Sequence, residues 1–123
     1  MFNVLAGNGD AHVKNWSLIY PDGVHAQLAP AYDLVSTVLY MRDDRLALNL
    51  GGTRAFDLID VDVFGQFAER ASLDVDRVRT VAAEQVQRTL AGWELTRSEG
   101  SVPARLRHII DERLSTLPLA TTE

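Results

Sequence analysis

The sequence predicts an α+β fold with small antiparallel β-hairpins followed by about three helices. Before residue 60, apolar residues alternate with polar ones and Gly and Pro are frequent, which is typical of short strands joined by turns. After residue 60, apolar residues recur at the three- and four-residue intervals of a helix face. The 123 residues are 46% hydrophobic and 24% charged, as in an ordinary globular domain, so we expect one folded unit over residues 1–123.

The first predicted element is a hairpin that ends before Pro30. Its turn is predicted at Tyr20-Pro21-Asp22-Gly23, which has Pro and Gly at the second and fourth positions of a type I turn. His25 falls on the polar side of the second strand, where we expect it to be exposed. The alternating apolar residues are Trp16, Leu18 and Tyr20 before the turn and Val24, Ala26 and Leu28 after it. We expect Trp16 to belong to the core.

A further strand is predicted where Leu46, Leu48 and Leu50 alternate with other residues and meet a turn at Gly51-Gly52. The segment ahead of Gly7 is too short to form a stable element alone, and it resembles the tail of something longer. Residues 33–40 show no clean period.

Three helices are predicted in the second half of the chain. The first follows Asp60, because Asp60 or Asp62 can cap it and five apolar residues repeat at helical spacing. The second begins at Asp74, and its apolar stripe extends to Trp93, which we expect to be core. A polar loop is expected over residues 96–101, and Pro103 then suits the first turn of a third helix.

Composition excludes several classes of protein. The sequence has no Cys and no apolar run long enough for a membrane span, and its start lacks the pattern of a secretory signal. These features favour a reducing, cytoplasmic location and no membrane partner. The net charge of −5 disfavours direct nucleic-acid binding, which gains affinity from clustered positive charge.

The polar residues that could carry chemistry lie on both sides of the first hairpin. Asp10, His12, Lys14 and Asn15 precede it and Asp33 follows it. Because antiparallel strands lie about 5 Å apart, the base of the hairpin can bring Asp33 close to Asp10 and Asn15. Convergent oxygen ligands of this kind suit Mg²⁺ and the charge neutralisation that phosphoryl transfer needs.

The spacing of these residues assigns a possible role to each. Protein kinases have an Asp that accepts the substrate proton five positions before a metal-binding Asn, and Asp10 and Asn15 share this spacing. Asn15 and Asp33 would then bind Mg²⁺, and His12 and Lys14 could contact a phosphate. A capped polar loop without catalytic function would show the same spacing, which is a weak signal on its own.

Two longer segments resemble motifs of the HipA family of bacterial serine/threonine kinase toxins. Gly7-Asn8-Gly9-Asp10-Ala11-His12-Val13-Lys14-Asn15-Trp16-Ser17-Leu18 looks like the catalytic loop of that family. Leu28-Ala29-Pro30-Ala31-Tyr32-Asp33-Leu34-Val35-Ser36-Thr37 looks like its metal-binding segment, and Leu46-Ala47-Leu48-Asn49-Leu50-Gly51-Gly52 is also similar. The resemblance implies that residues 1–123 form part of a kinase large lobe.

The resemblance also implies a function. It implies ATP- and Mg²⁺-dependent phosphorylation of a protein Ser or Thr, with Asp10 as the catalytic base and Asn15 and Asp33 as metal ligands. His12 and Lys14 are lesser candidates for cofactor binding. Better-known members phosphorylate an aminoacyl-tRNA synthetase and are neutralised by a DNA-binding antitoxin, so a protein substrate and an antitoxin are the partners implied.

The sequence departs from a complete kinase of this family. A complete kinase has an upstream lobe with a phosphate-covering loop and a lysine paired to an acidic residue. Residues 1–123 contain neither, and Gly51-Gly52 lacks the pattern of a phosphate-binding loop. We therefore expect the N-terminal lobe to be absent and the chain to be weakly active or inactive alone.

Two other functions stay open. The chain could be a non-catalytic interaction module whose helical half binds an antitoxin, a separate kinase lobe or a second copy of itself, because missing upstream elements would leave an apolar patch. It could also be a metal-dependent phosphohydrolase that uses Asp10, His12 and Asp33, with His25 as a further ligand.

Overall fold

The computed structural model describes residues 1–41 and 45–121. Within these ranges the fold is α+β, as predicted, with two separate two-stranded antiparallel sheets followed by helices. The strands are β1 (Leu18–Ile19), β2 (Gln27–Leu28), β3 (Arg45–Leu50) and β4 (Thr53–Ala55). The helices are α1 (Phe2–Leu5), α2 (Val61–Arg70), α3 (Val75–Ser98), α4 (Ala104–Thr116) and α5 (Pro118–Thr121).

The first hairpin is present but shorter than the alternation suggests. Leu18 pairs with Leu28 and Ile19 with Gln27, and the Gly23 N–H closes the turn by donating to the Tyr20 carbonyl at 3.0 Å. Trp16 is 56% exposed, so the expectation that it belongs to the core is wrong. The alternation indicates where the strands lie, but no other part of the described chain packs over their apolar side chains.

The second hairpin joins β3 to β4 through the predicted Gly51-Gly52 turn. Gly51 has a φ of 59° and its backbone lies against α2, where a Cβ atom would come within 2.4 Å of the Val63 carbonyl oxygen. Only glycine combines a left-handed backbone with such a close approach. The glycine therefore seats the hairpin on the helical layer.

The three predicted helices, α2 to α4, begin where the sequence predicts, whereas the single-turn helices α1 and α5 were not predicted. The Asp60 carboxylate accepts the Val63 N–H at 3.0 Å and the Asp74 carboxylate accepts the Arg77 N–H at 2.9 Å, which caps α2 and α3. The predicted loop over residues 96–101 begins late, because α3 continues to Ser98 before Gly100 adopts a positive φ. Trp93 is half-buried and donates from Nε1 to Asp111 of α4 at 2.8 Å.

The core lies between the second hairpin and the helices, and α1 is part of it. Val4 and Leu5 are each 1% exposed, so burial rather than intrinsic propensity stabilises this single helical turn. Arg113 of α4 donates from Nε and Nη2 to the Val4 carbonyl at 3.2 and 3.0 Å. The other core residues are Leu46, Phe56, Ile59, Val63, Phe64, Ala82, Val86, Leu117 and Leu119. Helix α1, which leads into the polar loop at Gly7, is therefore fixed to the core.

Candidate active site at the base of the first hairpin

Asn15 and Asp33 meet at the base of the first hairpin. Asn15 ends a short 3-10 turn, Val13–Asn15, just before β1, and Asp33 lies a few residues beyond β2. Because the two strands are antiparallel, the residues that flank them return to the same end of the hairpin. The Asn15 Nδ2 donates to Asp33 Oδ2 at 2.6 Å.

The backbone of Asp33 is unusual. Its φ is 55°, in the left-handed region that non-glycine residues seldom occupy and that Asp tolerates better than most. Such a conformation is retained only where the surrounding structure fixes it, and it is more frequent at functional sites. In this conformation the Asp33 carboxylate accepts a hydrogen bond from the Asn15 amide.

Asp10 is paired with His12 rather than with Asp33. The His12 Nε2 and Asp10 Oδ1 lie 2.6 Å apart, with 39% and 57% of the two side chains exposed. The backbone N–H of His12 donates to Asn15 Oδ1 at 2.8 Å. His12 therefore links the candidate base to the loop that holds the candidate metal ligand, and both side chains remain open to solvent.

Lys14 and His25 lie outside this cluster of side chains. The Lys14 side chain is exposed, and its contribution to the site is a backbone carbonyl that accepts from the Tyr32 hydroxyl at 3.0 Å. His25 is exposed, as predicted, and its Nδ1 pairs with Asp22 Oδ2 at 2.5 Å in the turn. The phosphohydrolase arrangement of Asp10, His12, Asp33 and His25 is not formed in the described ranges.

Three residues that the sequence reasoning gave no role hold the loop in place. Thr37 donates to the Gly7 carbonyl from its backbone N–H at 3.0 Å and from its hydroxyl at 3.1 Å. The same hydroxyl accepts the Gly9 N–H at 2.9 Å. Tyr32 and Ser17 share a hydroxyl contact of 2.5 Å across the hairpin base. These contacts fix the segment after β2 against the loop before β1.

Asn8 is a fourth residue that the sequence reasoning did not single out. It is 1% exposed, although it carries a polar side chain. Its Oδ1 accepts the Asp10 N–H at 3.0 Å, and its Nδ2 donates to Asn3 Oδ1 at 3.1 Å and to the Asp33 carbonyl at 3.4 Å. Asn8 can make these three hydrogen bonds because it is buried next to their partners. The neighbouring residues in the sequence do not indicate that burial.

The donor set suits a small hard cation better than a transition metal. Among the described residues, no group of three or more His, Asp or Glu side chains could hold a metal ion. Mg²⁺ needs fewer protein ligands, because it keeps several waters and accepts carboxylate and amide oxygens. Asp33 and Asn15 supply such oxygens, and in the structure the Asn15 oxygen accepts the His12 N–H while its nitrogen faces the Asp33 carboxylate.

The described residues do not enclose a nucleotide at this site. The cavity beside Asn15 and Asp33 is about 40 Å³, close to the volume of one water. A larger cavity of about 600 Å³ lies between α1, α3 and α4 and is lined by none of the candidate catalytic or metal-binding residues. A binding pocket for adenosine would therefore need further residues in addition to these.

The comparisons with known proteins identify the family. Residues 1–93 match the model of the HipA-like C-terminal domain. The chain belongs to this family. The HipA-like domain includes the first hairpin, the second hairpin, α2 and most of α3, so all candidate site residues lie within the matched stretch.

Curated relatives are named as kinases. "Putative kinase Y4dM" of Sinorhizobium fredii is 39% identical over 120 residues, which cover 97% of this chain and 29% of the relative. "Putative kinase Y4mE" of the same organism is 38% identical over 80 residues, or 64% of this chain and 19% of the relative. This chain thus spans less than a third of the length of the relatives it matches.

A solved structure shares the fold. The HipA chain in the Shewanella oneidensis MR-1 complex of HipA, HipB and operator DNA matches with a TM-score of 0.69 and 22% identity. The match covers 94% of this chain and 28% of the HipA chain. In residues 1–41 and 45–121, no helix has the length and apolar character that crossing a membrane requires.

Proposed function

We propose that the HipA-like domain supplies the catalytic loop and the metal-binding segment of an ATP- and Mg²⁺-dependent protein serine/threonine kinase of the toxin–antitoxin type. A kinase N-lobe, which residues 1–123 do not contain, would hold the nucleotide. The observation that carries this proposal is the hydrogen bond between Asn15 and Asp33 at 2.6 Å. It joins the two sequence motifs at one end of the hairpin, in a chain whose relatives are named as kinases.

Each residue then has a role that its surroundings support. Asp33 and Asn15 provide oxygen ligands, and the bound Mg²⁺ would neutralise charge on the transferring phosphoryl group. Asp10 accepts the proton of the substrate hydroxyl, for which its exposed carboxylate is accessible. His12 orients Asp10 through their 2.6 Å contact, and Lys14, on the exposed side of the loop, is free to meet a phosphate.

A metal titration tests the ligand assignment. Mn²⁺, which reports on Mg²⁺ sites by paramagnetic broadening, should first broaden the resonances of Asn15 and Asp33 in an NMR spectrum of the chain. The side-chain NH₂ signals of Asn15 should shift with Mg²⁺, because a cation bound to the Asp33 carboxylate competes with the Asn15 amide for the same oxygen. Asp22→Asn, which removes an exposed carboxylate from the hairpin turn, is the matched control and should leave binding unchanged.

A chimaera tests the catalytic assignment. The matching 120 residues of the Sinorhizobium kinase relative can be replaced by this chain, because the alignment covers 97% of it. The chimaera should transfer phosphate from ATP to protein when the intact relative does, and Asp10→Ala should abolish the transfer. An active relative with an inactive, folded chimaera would contradict the proposal.

The exposed first hairpin favours a second candidate, an interaction module. Its apolar side chains face solvent on both sides, and exposed apolar patches of this kind mark interaction surfaces. A HipB-like antitoxin, a separate kinase lobe or a second copy of the chain are the candidate partners. A clean monomer in analytical ultracentrifugation would count against self-association. The exposed residues are Trp16, Leu18, Ile19, Tyr20, Val24, Leu28 and Tyr32.

A further inference from the structure

We infer that Asn8 is a positioning residue that sets the candidate base Asp10 and the candidate metal ligand Asp33 relative to each other. The inference rests on the proposed function for the roles of Asp10 and Asp33. It concerns a side chain that touches neither phosphate nor metal and acts on the site through backbone groups.

The hydrogen bonds fix the orientation of the Asn8 amide. The Asp10 N–H can only donate, so the atom that faces it at 3.0 Å must be the carbonyl oxygen Oδ1. Nδ2 then faces two oxygens, Asn3 Oδ1 at 3.1 Å and the Asp33 carbonyl at 3.4 Å, and has one N–H for each. No other orientation satisfies all three neighbours.

The connection to Asp33 bridges two segments that are distant in sequence. Asn8 and Asp33 are 25 positions apart, and the amide contacts Asp33 at the backbone of the left-handed residue itself. A left-handed conformation at a non-glycine residue needs support from its surroundings. Asn8 gives that support while holding the Asp10 backbone with its other end.

Burial makes this link rigid. Asn8 is 1% exposed, so water cannot easily replace a lost partner, and a polar atom left without one is costly. Gly7 and Gly9 on either side are also buried and are fixed by Thr37. The amide is therefore held in one position. Its oxygen fixes the Asp10 backbone and its nitrogen fixes the Asp33 backbone.

Two substitutions separate this role from general stability. Asn8→Ala removes all three hydrogen bonds without burying a charge. Asn8→Asp keeps an acceptor for the Asp10 N–H but removes both bonds that Nδ2 donates, to the Asp33 carbonyl and to Asn3 Oδ1. Asn49→Ala is a matched control, because Asn49 also accepts a backbone N–H, that of Gly52 at 2.9 Å, but in the second hairpin. Ile110→Val is a control that destabilises the core and removes none of the hydrogen bonds of Asn8.

The experiment combines NMR with Mn²⁺ binding by the full chain. We expect Asn8→Ala to remove the exchange protection of the Asp10 N–H, to shift the backbone resonances of Asp33 and to weaken Mn²⁺ binding about tenfold. Asn8→Asp should shift Asp33 and weaken binding similarly while it keeps the Asp10 N–H protected. Asn49→Ala and Ile110→Val should change neither Asp33 nor Mn²⁺ affinity.

Three results would overturn the inference. The first is an unchanged Asp33 in folded Asn8→Ala, and the second is an equal change in Ile110→Val at the same loss of melting temperature. The third is loss of the helix resonances in both Asn8 variants, which would make Asn8 a general core residue. If the unsubstituted chain binds no Mn²⁺, the metal assignment under the proposed function fails, whereas the Asp33 resonances still decide the role of Asn8.

Discussion

The side chain of Asn15 donates to the carboxylate of Asp33 at 2.6 Å, although 18 positions separate the two residues in the chain. The hairpin between them closes this distance, since Leu18 pairs with Leu28 and the Ala29 N–H donates to the Ser17 carbonyl at 2.8 Å. The first hairpin thus brings the two candidate metal ligands together. Its own apolar residues contribute little to the core.

Asp33→Gly separates the side chain of Asp33 from its backbone. Glycine adopts the φ of 55° without steric cost, whereas alanine does not, so Asp33→Gly should be more stable than Asp33→Ala by about 1 kcal/mol. Both variants lack the carboxylate and should lose Mn²⁺ binding. Urea denaturation and Mn²⁺ titration check the two effects separately. Equal stabilities would show that the left-handed conformation is not retained in solution.

The isolated chain should transfer little or no phosphate. The described residues enclose only about 40 Å³ beside Asn15 and Asp33, so they cannot hold adenine and ribose for in-line transfer. Labelled ATP with myelin basic protein as acceptor is a suitable assay, and Asp10→Ala is the control. Robust phosphorylation by the 123-residue chain that disappears in Asp10→Ala would falsify this expectation.

Two glycine substitutions should have opposite effects on stability. A Cβ atom at Gly7 would lie 2.1 Å from Val38 Cγ1 on a backbone with φ of 65°, so Gly7→Ala should cost about 2 kcal/mol or more. A Cβ atom at Gly92, inside α3, meets nothing within 4 Å. Gly92→Ala should therefore stabilise the chain by roughly 0.5–1 kcal/mol. Thermal unfolding of the two variants measures both effects, and the expectation fails if both move the melting temperature in the same direction.

The hairpin turn should stay intact in acid. The His25 side chain, and then the backbone N–H groups of His25 and Val24, lower the pKa of Asp22 from 3.8 to about 2. A carboxylate whose pKa is depressed by folding stabilises the folded form above its unfolded pKa, and this effect is lost as the pH falls through the folded value. A carbon-13 NMR titration should find the Asp22 midpoint near pH 2. In His25→Ala the midpoint should rise toward 3.8 without reaching it, because the backbone donors remain.

The sequence predicts the parts of this fold that follow from local chemistry. Asp60 and Asp74 are helix caps because a short carboxylate before an apolar repeat accepts the free N–H groups of the first turn. The Gly51-Gly52 turn follows equally from positive φ angles that glycine adopts readily. The contact between Asn15 and Asp33 is also predictable, because the two residues flank antiparallel strands that a hairpin brings close together.

Features that depend on tertiary packing could not be predicted in this way. The alternation around Trp16 is that of a half-buried strand, but alternation does not tell whether a second layer covers it. Asn8 acquires its hydrogen bonds from being buried beneath Asp33, and Arg113 reaches Val4 from 109 positions away. Such long-range relations leave no trace in the spacing of neighbouring residues.

The contacts of Arg113 determine where the chain can be truncated without loss of the core. Residues 94–121 lie beyond the stretch matched to the family, yet Arg113 holds the Val4 carbonyl and packs 4.4 Å from the centre of the Phe56 ring. Leu119 is fully buried in the same cluster. A shortened version ending at residue 93 would therefore expose to water the core residues that support the loop starting at Gly7. Expression boundaries for this domain should be drawn beyond α5, outside the family match.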